Sequence, residues 1–103
     1  MSLKIGDAFL VTRGQDTQYS VHGYQGGSIG IRGRIASGEN LKSAEAGLYQ
    51  LREGSTQEIE IETDDGKVLK GSYKINELNW KKERKENGEY ELLFNIGLQK
   101  IEN

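Results

Sequence analysis

Residues 79–99 read NWKKERKENGEYELLFNIGLQ, and this stretch decides the kind of fold. Tyr90, Leu92, Phe94, Ile96 and Leu98 occupy every second position. In an extended chain all five side chains leave one face, which makes this the strongest strand signal in the sequence. Ahead of it, KKERKENGE sets charges of both signs around Asn87-Gly88, a pair suited to the positive φ values of a hairpin turn. The segment therefore reads as the solvated end of a hairpin whose two long arms belong to the core sheet. Charges there keep a long ribbon from aggregating. They also equip the tip to act as an arm that docks on a neighbouring copy.

Working outward, Val68 to Trp80 gives the preceding strand or strand pair. Tyr73 and Ile75 share one parity, whereas Leu78 and Trp80 take the other. That change requires a bulge near Asn76-Glu77 or a strand with apolar contacts on both faces. Earlier, Ile59, Ile61 and Thr63 alternate with Glu58, Glu60 and Glu62, and DDGK supplies a turn. In Ser28 to Ile35, Ile29, Ile31, Gly33 and Ile35 share a face, with Ser28, Gly30, Arg32 and Arg34 on the other. Gly30 and Gly33 mark a bulge or a close backbone approach. Tyr19, Val21 and Gly23 form a shorter strand, separated by RGQDTQ from a first strand over Ile5 to Val11 whose alternation is imperfect. Met1-Ser2-Leu3 has the character of a cloning remnant and is given no weight.

One segment changes period. After Asn40, the natural N-cap, Leu41, Ala44, Leu48 and Leu51 recur at three- and four-residue spacings. The spacing predicts a helix over Leu41 to Arg52, stopped by Gly54 and held on the sheet by its apolar stripe. The expected fold is α+β and mainly β: an antiparallel β-sandwich or partly open barrel of about six or seven strands with one short helix packed on it.

The bulk composition narrows the function. The 103 residues make one domain, residues 1–103, with 34% hydrophobic and 29% charged residues and a formal net charge of −2. That balance offers no general attraction for nucleic acid or an anionic membrane. Without cysteine there is no disulfide, thiolate nucleophile or thiolate-bound zinc. No stretch approaches the ~18 apolar residues of a membrane-spanning helix, and the start lacks the pattern of a secretory leader. The reading is of a soluble chain that carries no readable address.

Nor does any constellation carry catalysis. His22 is the lone histidine and has no partner pattern for a relay or a zinc site. Glu58, Glu60 and Glu62 alternate as a solvated strand face, and TDDGK lacks the ligand spacing of a calcium loop. GYQGGSIGIRGR has glycines but not the ending or the strand-to-helix setting of a phosphate cradle. Arg32 and Arg34 have the guanidinium forks to grip a carboxylate or phosphate. Pairing with the Glu58-Glu60-Glu62 face, within the sheet or between subunits, is at least as good a use. Lys81, Lys82, Arg84 and Lys85 lie near Trp80 and Tyr90, but Glu83, Glu86, Glu89 and Glu91 dilute them, which suits protein docking better than nucleic acid. No catalytic, cofactor or metal site is assigned.

From Arg32 onward the order of features is a GRI strand, the helix LKSAEAGLYQLRE, the strand QEIEIETDDGK and the hairpin GSYKINELNWKKERKENGEYELLFNIGLQKI. This order resembles the small β-rich tail proteins of tailed bacteriophages and related contractile injection systems, over about two thirds of the chain. The resemblance implies a non-enzymatic tube, terminator or adaptor protein that forms a ring, often a hexamer, with other tail proteins. It also implies assembly in the cytoplasm of a host or prophage carrier before incorporation in a virion tail, with nucleic acid met only inside a tube lumen. Head-to-tail rings use two different patches. The interface candidates are Arg32, Arg34, Glu58, Glu60, Glu62, Lys81, Lys82, Arg84 and Lys85. The rival is a monomeric β-barrel module that uses Tyr24, Trp80 and Tyr90 to hold a peptide, glycan or single-stranded nucleic acid.

Overall fold

A computed structural model describes residues 2–23, 26–36 and 38–101. Seven strands and one helix follow in the order β1 (Ser2–Ile5), β2 (Phe9–Thr12), β3 (Thr17–His22), β4 (Ser28–Ala36), α1 (Glu39–Gln50), β5 (Thr56–Glu62), β6 (Val68–Arg84) and β7 (Tyr90–Lys100). The strands form one antiparallel sheet in the order β2-β1-β5-β6-β7-β4-β3, so the two-sheet sandwich is not formed. The sheet does not close.

Topology makes the sheet curl. β2 and β3 are its two edges, yet only residues 13–16 separate them in sequence. Such a link spans at most about 17 Å, whereas seven strands laid flat would hold their edges about 29 Å apart. The edges must therefore bend toward each other. Side chains hold the curl: the Tyr19 hydroxyl donates to the Glu62 carbonyl at 3.1 Å. Arg13 lies over the Tyr19 ring, donates to the Tyr19 carbonyl and pairs with Asp64 at 2.5 Å. Burial pushes the Tyr19 phenol above its ordinary pKa, so it remains a donor at neutral pH.

Alternation fills the concave side. Leu3, Ile5, Phe9, Val11, Ile31, Ile35, Ile61, Ile75, Leu92, Phe94, Ile96 and Leu98 are among the buried core residues. The helix covers them with Leu41, Ala44 and Leu48. Gly47 permits the close approach: a Cβ there would lie 2.4 Å from the Ala8 carbonyl oxygen. A larger residue would hold α1 off the β1–β2 turn.

Several expectations change in detail. The stretch from Ile5 to Val11 is a hairpin rather than a strand, because Gly6 at φ 61° turns the chain where alternation failed. Leu3 is wholly buried opposite Val11 and Ile61, so this residue belongs to the core. The helix runs from Glu39 to Gln50, two residues ahead of the predicted span. Its first turn closes from Lys42 N–H to the Gly38 carbonyl at 3.3 Å, while the Asn40 amide points to Asp16 rather than capping. At the tip, Gly88 has positive φ (86°), and no described residue other than glycine does. The turn thus uses a bend over Glu86-Asn87 closed by Gly88 N–H to the Lys85 carbonyl, with Lys85 N–H bonded to Glu89. Thr63 to Lys67 repeats this arrangement with Gly66 at φ 85°.

The predicted bulge is present. Ile75 faces Leu98, but Glu77 faces Gly97, leaving Asn76 as the extra residue. Leu78 and Trp80 are thereby returned to the concave side opposite Ile96 and Phe94. Gly97 accommodates the bulge, since a Cβ there would stand 2.7 Å from Asn76 Oδ1. Gly30 and Gly33 are close approaches within continuous ladders, filled by the His22 ring and the Phe94 ring respectively.

Candidate assembly surface

The long ribbon of β6 and β7 is covered unequally. β4 pairs with β7 from Gln99 to Glu91, almost its full length. β5 pairs with β6 only from Val68 to Lys74, and Gly54 and Ser55 extend that cover to Ile75 through bonds of 2.6 and 2.9 Å. From Asn76 to Arg84, β6 has β7 on one side and no backbone partner among the described residues on the other. Every second residue there directs an unpaired N–H and C=O outward. Sequence reading missed this edge, because strand length was legible but strand order was not.

Helix α1 lies along the concave face beside this edge. Tyr49 meets Trp80 edge-on, with ring centroids 4.8 Å apart. One turn earlier, Glu45 takes Lys82 Nζ at 3.2 Å, and that ammonium also lies 5.2 Å from the Tyr90 ring centre. Tyr49 nevertheless remains 72% exposed. Trp80 and Tyr90 thus share a face with Lys82 between them, while Tyr24 lies outside the described residues.

The basic tip is divided. Lys81 pairs with Glu83 at 2.7 Å, Lys82 faces the helix, and Lys85 reaches Glu91 at 2.7 Å. Arg84 stands exposed on the last pair of the ribbon, opposite Tyr90. Glu91 also receives Arg34 Nε at 3.3 Å and is buried beneath its two cations. The hydrogen bond from Lys85, aided by Arg34, holds the Glu91 carboxyl below its ordinary pKa against the opposing effect of burial.

Arg32 and Arg34 do project from the side of β4 opposite its core residues, as their alternation requires. They do not meet Glu58, Glu60 and Glu62 within the sheet, because β6 and β7 lie between β4 and β5. The acidic row finds nearer partners. Lys70 stands 3.6 Å from Glu60, and the Ser72 hydroxyl donates to Glu58. Glu62 lies at the end of β5, with its carbonyl held by Tyr19. His22 is exposed over Gly30. The nine interface candidates therefore fall into two regions: the β5 acids, and β4 with the ribbon tip, where Arg34 and Lys85 meet at Glu91.

Among the described residues, no helix is long and apolar enough to cross a membrane. Comparison with known proteins finds no matching family model, no matching curated protein and no matching solved structure.

Proposed function

We propose that this chain is a non-enzymatic assembly protein that builds a ring, in the manner of a phage-like tail component, through its sheet edges and charged hairpin. The open edge of β6 from Asn76 to Arg84 carries the reading, since a row of unpaired backbone groups is a template for another chain. The separated patches add to it. A ring needs two unlike surfaces on each subunit, and the acidic β5 face and the basic ribbon tip stand on different parts of the molecule. The tail, the hexameric count and the neighbouring tail proteins come from the resemblance of the sequence.

The test is absolute mass by light scattering after size exclusion, over a wide concentration range and at two salt levels. A salt-sensitive ring or growing tube is the expected result. Replacement of Lys81 and Arg84, the exposed cations of the tip that hold neither Glu45 nor Glu91, by glutamate should lower that mass without unfolding the protein. A strict monomer under all conditions would remove self-assembly from the function.

A further inference from the structure

The turn at the ribbon tip sets which backbone groups of the open edge look outward. Lys85 N–H bonds to the Glu89 carbonyl at 2.7 Å, and hydrogen-bonded pairs alternate with non-bonded ones along an antiparallel ladder. Glu83, Lys81, Asn79 and Glu77 therefore bond to β7, opposite Glu91, Leu93, Asn95 and Gly97. Arg84, Lys82, Trp80 and Leu78 turn their N–H and C=O groups away from it. Before the bulge the parity is reversed, as Ile75 bonds outward to Gly54 and Ser55. The free groups thus belong to residues whose side chains stand on the concave face.

The ends of the edge limit what it accepts. A strand added there has to stop or turn away before Ile75, so it is confined to the stretch from Arg84 to Leu78. The chain's own strands do not meet that requirement. A second β6 centred anywhere from Asn79 to Lys81 carries its tip into Gly54, Ser55 and β5. Centred at Lys82 or Glu83 to escape them, it sets two like charges together at its centre. In β3 the Thr17 and Tyr19 carbonyls are already taken by Gly14 N–H and by Arg13, and β2 is only four residues long.

Side chains describe the occupant that remains. On the concave face Leu78 and Trp80 are half-buried, and Tyr49 is largely exposed although it meets Trp80 edge-on. Toward the tip the same face carries Lys82, which Glu45 holds, and the exposed Arg84. The opposite face carries Lys81 and Glu83. We propose that this edge takes a short extended segment of a different protein as an added antiparallel strand, with apolar residues opposite Leu78 and Trp80 and carboxylates opposite Lys81 and Arg84. The apolar residues cover the Tyr49-Trp80 pair, the carboxylates meet cations, and the direction continues that of the neighbouring ladders. This inference rests on the assembly reading and names what one of its surfaces takes, leaving ring contacts to the charged patches.

The test is amide hydrogen exchange with a tethered probe. The chain has no cysteine, so Asn79→Cys gives a single exposed thiol. The peptide Glu-Lys-Thr-Glu-Val-Cys-Val then runs opposite Arg84 to Leu78 with its cysteine facing that thiol. The two form a non-hydrogen-bonded pair with Cα atoms about 4.5 Å apart, within disulfide range. In the free protein the Trp80 and Lys82 amides should exchange as exposed groups, while that of Lys81, bonded to β7, is protected. The tethered peptide should slow Trp80 and Lys82 by at least about tenfold. A control of the same composition, Val-Glu-Val-Lys-Glu-Cys-Thr, sets like charges opposite Glu83 and Lys81 and should leave both amides fast. Equal protection by the two peptides, no protection by the first, or protection of Trp80 and Lys82 in the wild-type protein alone, as a second copy on the edge would give, overturns the proposal. A salt-sensitive ring whose edge refuses the first peptide leaves the assembly reading standing without this inference, whereas a strict monomer that takes it does the reverse.

Discussion

At the scale of the residue, glycine decides how closely layers approach. Gly47 sits in the middle of α1, where alanine is ordinarily worth about 1 kcal/mol in helix propensity. Here the added methyl would meet the Ala8 carbonyl at 2.4 Å, and a backbone oxygen cannot swing aside as a flexible side chain can. Gly47→Ala is thus expected to destabilise the fold by about 1–3 kcal/mol, measured as a lower urea midpoint with an unchanged slope. A gain in stability would show that the helix has room to lift. Gly33 illustrates the same principle between strands, with the Phe94 ring filling the space over it and meeting Phe9 edge-on at 5.5 Å. The sequence announced a close approach at Gly33 but gave no sign of one at Gly47, because the atom that Gly47 must avoid belongs to a turn about forty residues earlier.

At the scale of the element, the β6–β7 ribbon is steadied at its far end by Glu91. Lys85 and Arg34 lower its pKa below the ordinary 4.5, so the folded state binds its proton less readily than the unfolded state. The contribution is therefore complete above the unfolded pKa and is lost as pH falls through the depressed folded value. Because Lys85 and Arg34 are themselves substantially exposed, its size is about 1 kcal/mol. Glu91→Gln should cost about that much at neutral pH and should flatten the acid limb of stability, measured by urea unfolding between about pH 6 and about pH 3. An acid limb unchanged by the substitution would assign it to other carboxylates. Much of the ribbon was legible: the alternation over Tyr90 to Leu98, and the parity change that locates the bulge at Asn76, are properties of neighbouring residues. The turn was less so. Asn87-Gly88 matched a tight two-residue turn, but the chain uses one more residue, with Asn87 Oδ1 accepting Glu89 N–H at 3.0 Å.

At the scale of the whole molecule, the radius of gyration is 13.3 Å and the longest extent 48 Å, so the ribbon gives a small domain an elongated outline. Association through such a ribbon stabilises the folded state by mass action. The melting temperature should therefore rise with protein concentration, and replacement of the exposed Lys81 and Arg84 by glutamate should weaken that dependence while keeping the wild-type value at high dilution. A melting temperature independent of concentration in the wild type would count against association of the native state. By itself the sequence determined the β-rich class, the lone change to helical period, the bulge and the outward direction of Glu58, Glu60, Arg32 and Arg34, since each follows from local periodicity. Tertiary structure alone decided which strands are neighbours, and hence that Arg34 meets Glu91 rather than the β5 acids. It also decided that a seven-residue β5 leaves half of a seventeen-residue β6 uncovered. The physical reason is that alternation fixes the face on which a side chain stands, whereas the partner across the ladder is chosen by packing among segments distant in sequence.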